Sequence, residues 1–208
     1  MSTAELWYLA RASGVVSLIL LTVVVVLGIV TRARGSLGAL TGHSRLVVVA
    51  LHRSASLLAV AFLGIHITTL MFDPYAQLKL IDLVMPFTSS YRPLFVGLGA
   101  LALDLMAALV ITSLLRDRIG RRVWRAVHWL AYAMWPVALL HGIGSGTDRS
   151  RSWMIGVDIT CVLAVAAASM LHPRFSGTER PRPSGVPIAI PDPLPVRRPV
   201  GAGRGASR

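Results

Sequence analysis

Residues 46–72 read LVVVALHRSASLLAVAFLGIHITTLMF. Arg53 is the only permanently charged residue in this run, and a helix needs roughly 20 apolar residues to cross a hydrocarbon core. A soluble domain would break such a run into alternating or amphipathic pieces. The stretch is therefore expected to span a membrane, and it carries two histidines, His52 and His66. An imidazole in lipid is costly without a partner, which makes an intramembrane histidine a functional candidate by default. Residues 123–144 repeat the pattern with His128 and His141.

Further apolar runs at 6–30, 93–115 and 153–171 complete the series. The 208-residue chain is 54% hydrophobic and 14% charged, with a mean hydropathy of +0.66. The expected fold is an all-α polytopic membrane helical bundle of five transmembrane helices. The fifth is expected to stop at His172-Pro173, because proline cannot continue the hydrogen-bond ladder. Residues 1–172 then form the membrane domain, and the Pro/Arg-rich residues 173–208 a disordered cytoplasmic tail. Residues 75–85, in the longest connection, have the spacing of a short interfacial helix. Glu5 and the lack of a basic residue before Arg11 argue against a cleavable signal, so the first run is expected to be a retained span.

The net charge of +12 sits beside the apolar runs and in the tail. Arg32, Arg34 and Arg45 lie in the first connection, and Arg116, Arg118, Arg121, Arg122 and Arg125 in the third. The positive-inside rule puts these segments and the tail on one side, with the N-terminus outside and the C-terminus inside. No recognition module accompanies the charge, so nucleic acid is not expected as a partner. Membrane lipid is. Cys161, the single cysteine, excludes a disulfide framework and reads as a small buried residue.

The second and fourth runs are expected to be parallel, which sets His52 level with His128 and His66 level with His141. At about 1.5 Å rise per residue the two levels lie roughly 20 Å apart in depth. Each level suits one haem iron held between two axial imidazoles. The step from His52 to His66 returns within about 40° of one helix face, whereas the step from His128 to His141 falls roughly 140° short of whole turns. Pro136 lies between the latter two and is expected to disturb the winding. A metal or proton transporter using the same histidines is the competing reading, although soft ligands are sparse around them. A scaffold that recruits partners through its arginine-rich tail is a third.

Two histidine pairs separated by one span, together with the stretch WRAVHWLAY at 124–132, resemble the ferric reductase-like transmembrane domain family. That family includes eukaryotic ferric reductases, NADPH oxidases and the bacterial haem subunit MsrQ. The resemblance covers residues 6–171. It implies that His52, His66, His128 and His141 are the axial ligands of two b-type haems carrying electrons across a plasma membrane, and that the chain is an oxidoreductase component. The 208 residues hold no glycine-rich phosphate loop or nucleotide-binding βαβ pattern, which suggests a stand-alone bacterial member. Its electrons would come from a partner flavoprotein or a membrane quinol and pass to an extracytoplasmic acceptor.

Arginine is the natural partner of haem propionates. Arg53 and Arg125 are placed at the inner level, Arg11 and Arg92 at the outer. A snorkelling anchor is the competing role for Arg53, Arg92 and Arg125. Gly64, Gly142 and Gly144 stand beside the outer histidines, where they would admit a porphyrin face or simply pack helices. Asp104, the acid nearest mid-membrane, is expected to face the bundle interior, in a structural role or on a proton path. Trp129, Tyr132 and Trp135 suit contact with either porphyrin or lipid.

Overall fold

A computed structural model of the chain describes residues 2–32, 42–74, 78–146, 148 and 150–176, and every regular element among them is helical. The elements are α1 (Thr3–Arg32), α2 (Gly42–Met71), α3 (Leu80–Val84), α4 (Pro93–Leu114), α5 (Arg116–His128), α6 (Leu130–Ser145) and α7 (Ser152–Ser176). Four of them, α1, α2, α4 and α7, are each long and apolar enough to cross a membrane. The bent pair of α5 and α6 raises the number to five if it counts as one span. The chain is thus an all-helical multi-pass membrane protein.

α1 is the hub. It packs along α2 in antiparallel register and also against α6 and α7, while α4 packs along α6. Leu21 of α1, Leu109 of α4 and Met134 of α6 form one buried cluster; Val25 and Ile29 of α1 with Ala168 of α7 form another. Trp135 donates its indole N–H to Thr22 Oγ1 at 3.0 Å, which gives its polar edge a partner inside the bundle rather than in lipid. Large side chains such as Leu57, Leu114 and Met170 point outward and are well over half exposed. A soluble protein rarely shows so much apolar surface, but a lipid-facing bundle requires it. Cys161 is buried, as expected.

Two expectations about helix boundaries and one about a side chain's direction need correction. The fourth run is not one helix: it breaks at Trp129, where α5 and α6 meet at 45°. Pro136 lies inside α6 without ending it. At the break, the Tyr132 N–H bonds the Trp129 carbonyl three residues back, the tighter winding of a 3₁₀ turn. α5 is itself kinked at Gly120 (φ 79, ψ 158), and beyond that kink Arg121, Arg122 and Arg125 share one side while Val123 and Val127 share the other. That is the pattern of a helix lying in the membrane interface rather than through it. Second, α7 continues through Pro173 to Ser176, so the proline does not stop it. Third, Asp104 is exposed on α4 and faces away from the interior. Roughly 100° of turn per residue sets it on the flank opposite Gly99, Leu103 and Met106, which look inward.

The expected interfacial helix at 75–85 is shorter than predicted: α3 begins at Leu80, and residues 75–77 lie outside the described residues. So does the tail from residue 177 onward. Asp82 closes the first turn of α3, accepting from the Lys79 N–H at 2.9 Å and the Thr88 hydroxyl at 3.0 Å. Phe87, at φ 72, then turns its ring onto Gly97 of α4. A Cβ at residue 97 would lie 2.6 Å from the Phe87 backbone nitrogen, and backbone yields far less readily than a side-chain tip. Gly97→Ala is therefore expected to destabilise the fold by about 1–3 kcal/mol, the usual cost of overpacking. Its unfolding midpoint in detergent should fall clearly below that of Gly156→Ala, whose added Cβ meets nothing within 4 Å.

Candidate functional site: two facing histidines in the bundle

His66 lies near the C-terminal end of α2, and His141 near the C-terminal end of α6. α2 and α6 do not share a packed seam; their imidazoles face each other across a cavity of ≈ 230 Å³. The ring centroids are 6.4 Å apart and the ring planes are inclined by 78°. The surrounding wall is mostly apolar, with Leu18, Leu63, Leu103 and Met106 among its residues.

Both rings are held by the same type of contact. His66 Nδ1 is 2.8 Å from the Ala10 carbonyl oxygen of α1, and His141 Nδ1 is 2.7 Å from the Phe95 carbonyl oxygen of α4. A carbonyl only accepts, so each Nδ1 carries the proton and donates it. Nε2 is then the lone-pair nitrogen on both rings, which is the tautomer a metal needs. His52 repeats the arrangement, donating from Nδ1 to the Val24 carbonyl of α1 at 3.1 Å.

The spacing of this pair matches that required by an iron porphyrin. Two metal–imidazole bonds of about 2 Å, with the distance from each coordinating nitrogen to its own ring centre, require centroids about 6 Å apart. The observed separation meets that requirement with the tautomers already set. Among the described residues, no group of three or more His, Cys, Asp or Glu side chains is arranged to bind a metal. Two imidazoles suit a metal whose remaining ligands come from a macrocycle better than a bare ion.

Arg11 is the second element of the site. It lines the cavity and pairs with Asp148 through Nε at 3.2 Å, both side chains being about one-fifth exposed. Its Nη2 is buried with no hydrogen-bond partner among the described residues. A buried guanidinium nitrogen with a spare donor matches an anionic group such as a propionate.

The other residues singled out from sequence are placed differently. His128 ends α5, beside the break, with its ring stacked on Trp124 at 4.9 Å. Arg53 and Arg125 are exposed on α2 and α5, and neither lines the cavity. Arg92 donates to the Gly144 carbonyl at 2.6 Å and so ties the start of α4 to the end of α6. Gly144 is covered by the Phe95 ring, Gly64 faces open space, and only Gly142 of those three lines the cavity. Sequence reasoning missed Gly14 and Gly99, which lie against the rings of His66 and His141.

The family described as Ferric reductase like transmembrane component matches residues 13–139, more than half of the chain. The chain belongs to this family. The matched region opens on α1 and takes in His52, His66 and His128; it closes on α6 two residues before His141. In this ferric reductase-like chain, the residue that faces His66 is thus supplied just beyond the matched segment, by the same helix. No curated protein and no solved structure matches the chain.

Proposed function

We propose that the chain is a di-haem b-type cytochrome that moves electrons across a bacterial plasma membrane. The observation that carries this reading is the His66–His141 pair, 6.4 Å apart and with both Nδ1 protons given to backbone carbonyls. Family membership points the same way, towards transmembrane electron transfer. Iron bound between such imidazoles supplies one-electron redox chemistry, and the protein sets its ligation, potential and access.

His66 and His141 would hold the iron of an outer haem, and His52 and His128 that of an inner one. The Ala10, Phe95 and Val24 carbonyls hold three of these rings in the ligating tautomer. Arg11 offers its unpaired Nη2 to a propionate of the outer group. Arg53 and Arg125 stand near the inner level, where their exposed positions suit propionates or lipid phosphates. Apolar side chains such as Leu18, Leu63 and Leu103 around the cavity would limit the access of water to a haem bound there.

In this reading the bent α5–α6 pair is the fourth of five spans, α5 lies on the cytoplasmic face, and the N-terminus is outside. Residues 1–172 form the haem domain and 173–208 the cytoplasmic tail. Arginine-rich connections on one side support that orientation through their affinity for an anionic inner leaflet. Electrons arrive from a flavoprotein or a quinol and leave for an extracytoplasmic acceptor.

The test is electron transfer through liposomes that carry the purified chain and enclose ferricyanide, with dithionite added outside. The enclosed oxidant should be reduced faster than in protein-free liposomes. Equal rates would defeat the proposal. Movement of a divalent metal or of protons by the haem-free chain would favour the transporter instead.

A further inference from the structure

Each of three imidazoles meets the neighbouring helix at the same two positions. His66 donates to the carbonyl of Ala10 and lies against Gly14; His141 donates to Phe95 and lies against Gly99; His52 donates to Val24 and lies against Gly28. In every case the glycine stands four residues after the carbonyl. In an α-helix the N–H of residue i+4 bonds the carbonyl of residue i, so a side chain at i+4 stands beside that carbonyl. The chain illustrates this elsewhere: Thr22 and Thr112, each at an i+4 position, turn their hydroxyls onto the carbonyls of Leu18 and Ala108. A glycine there leaves the carbonyl's second lone pair open to a donor from another helix.

The space is tight. A Cβ on Gly99 would lie 2.5 Å from His141 Cε1, and one on Gly14 would lie 2.9 Å from His66 Cε1 and Nδ1. A Cβ on Gly28 would lie 3.6 Å from His52 Cε1, an ordinary contact. At Gly14 and Gly99 the ring would have to move away from its carbonyl.

We propose that Gly14 and Gly99 are positioning residues, seats that bring the His66 and His141 imidazoles onto the Ala10 and Phe95 carbonyls and so set ligand orientation and basicity. This rests on the haem reading above. Gly28 shares the arrangement but is not required by space. A hydrogen bond from Nδ1–H to a carbonyl raises the electron density on Nε2, so disturbing the seat alters the iron it ligates as well as the packing.

The test compares Gly14→Ala and Gly99→Ala with Gly28→Ala and with Gly64→Ala and Gly156→Ala, whose Cβ atoms would meet nothing within 4 Å. Full-length protein purified in detergent is assayed for haem per chain, low-temperature EPR and redox titration. Gly14→Ala and Gly99→Ala should shift or abolish the low-spin signal of one haem and move its midpoint potential, leaving the other haem unchanged. The remaining three variants should match the unsubstituted chain. Unchanged spectra and potentials in both Gly14→Ala and Gly99→Ala, in a chain that binds haem, would overturn the seats while sparing the haem reading. An unsubstituted chain without haem would overturn that reading itself. Should both variants fail to accumulate, pulsed EPR of the unsubstituted protein with ¹⁵N and ¹⁴N histidine replaces them. The remote nitrogens at the outer site should then carry the quadrupole coupling of strongly hydrogen-bonded N–H groups, and a weakly bonded value would count against the proposal.

Discussion

Replacing His141 with alanine is expected to convert the outer haem from a six-coordinate low-spin centre to a five-coordinate or empty site. His66→Ala should do the same, because the two rings face one another across a single cavity at 6.4 Å. The double variant should be no worse than either single one, since removing the second ligand from a site already broken costs little more. Optical spectra and haem quantification check this directly. Each single variant should lose about half of the reduced b-type absorbance and retain the low-spin signal of the inner site. Loss of different low-spin signals in His66→Ala and His141→Ala would mean that the two residues serve different centres.

Arg11→Leu should produce the second large effect, in two separable parts. Removing the guanidinium leaves the Asp148 carboxylate without its ion pair at a site only about one-fifth exposed. Exposed pairs contribute about 1 kcal/mol or less, and breaking a fully buried pair costs about 3–5 kcal/mol, so a loss of about 1–3 kcal/mol is expected here. Electrostatics supply the other part. A cation beside a redox centre favours its reduced form, so the outer midpoint potential should fall in Arg11→Leu. Asp148→Asn removes the opposing negative charge and should move that potential the other way. Potentiometric titration of the two variants checks both signs, and a common direction of shift would refute the placement of Arg11 at the outer site.

How much of this was legible in the sequence depended on whether local chemistry or tertiary packing decided the matter. The long apolar runs match the membrane-crossing stretches of α1, α2, α4 and α7 to within about three residues at each end, since a hydrocarbon core imposes length and composition on any helix that crosses it; the ends of α2 and α7 beyond those stretches carry no such signal. His66 and His141 were found because an imidazole stands out against leucine and valine, and their shared depth followed from counting along parallel helices. Arg11 was found for a similar reason, as a lone cation inside the first run.

The missed features are relations between helices. Gly14 and Gly99 look like the many glycines that let membrane helices pack. Only the antiparallel register of α1 with α2 and of α4 with α6 brings them under an imidazole. A clue was present: Gly14 and Gly28 have the same spacing as His52 and His66, as two antiparallel helices in contact would require. The bend at Trp129 has no proline to mark it: α6 runs through Pro136, and the bend sits where an arginine-rich segment meets an apolar helix. Asp104 differs from expectation because depth along a helix does not fix direction around it.

The central claim, that paired imidazoles in this bundle bind iron porphyrin, is tested most directly by low-temperature EPR of the purified full-length chain with its haem content measured on the same sample. The expected result is two haems per chain, both low-spin with two histidine ligands, and loss of one signal when His66 or His141 is replaced. A colourless preparation, or haem whose amount and spectrum are indifferent to both replacements, would contradict it.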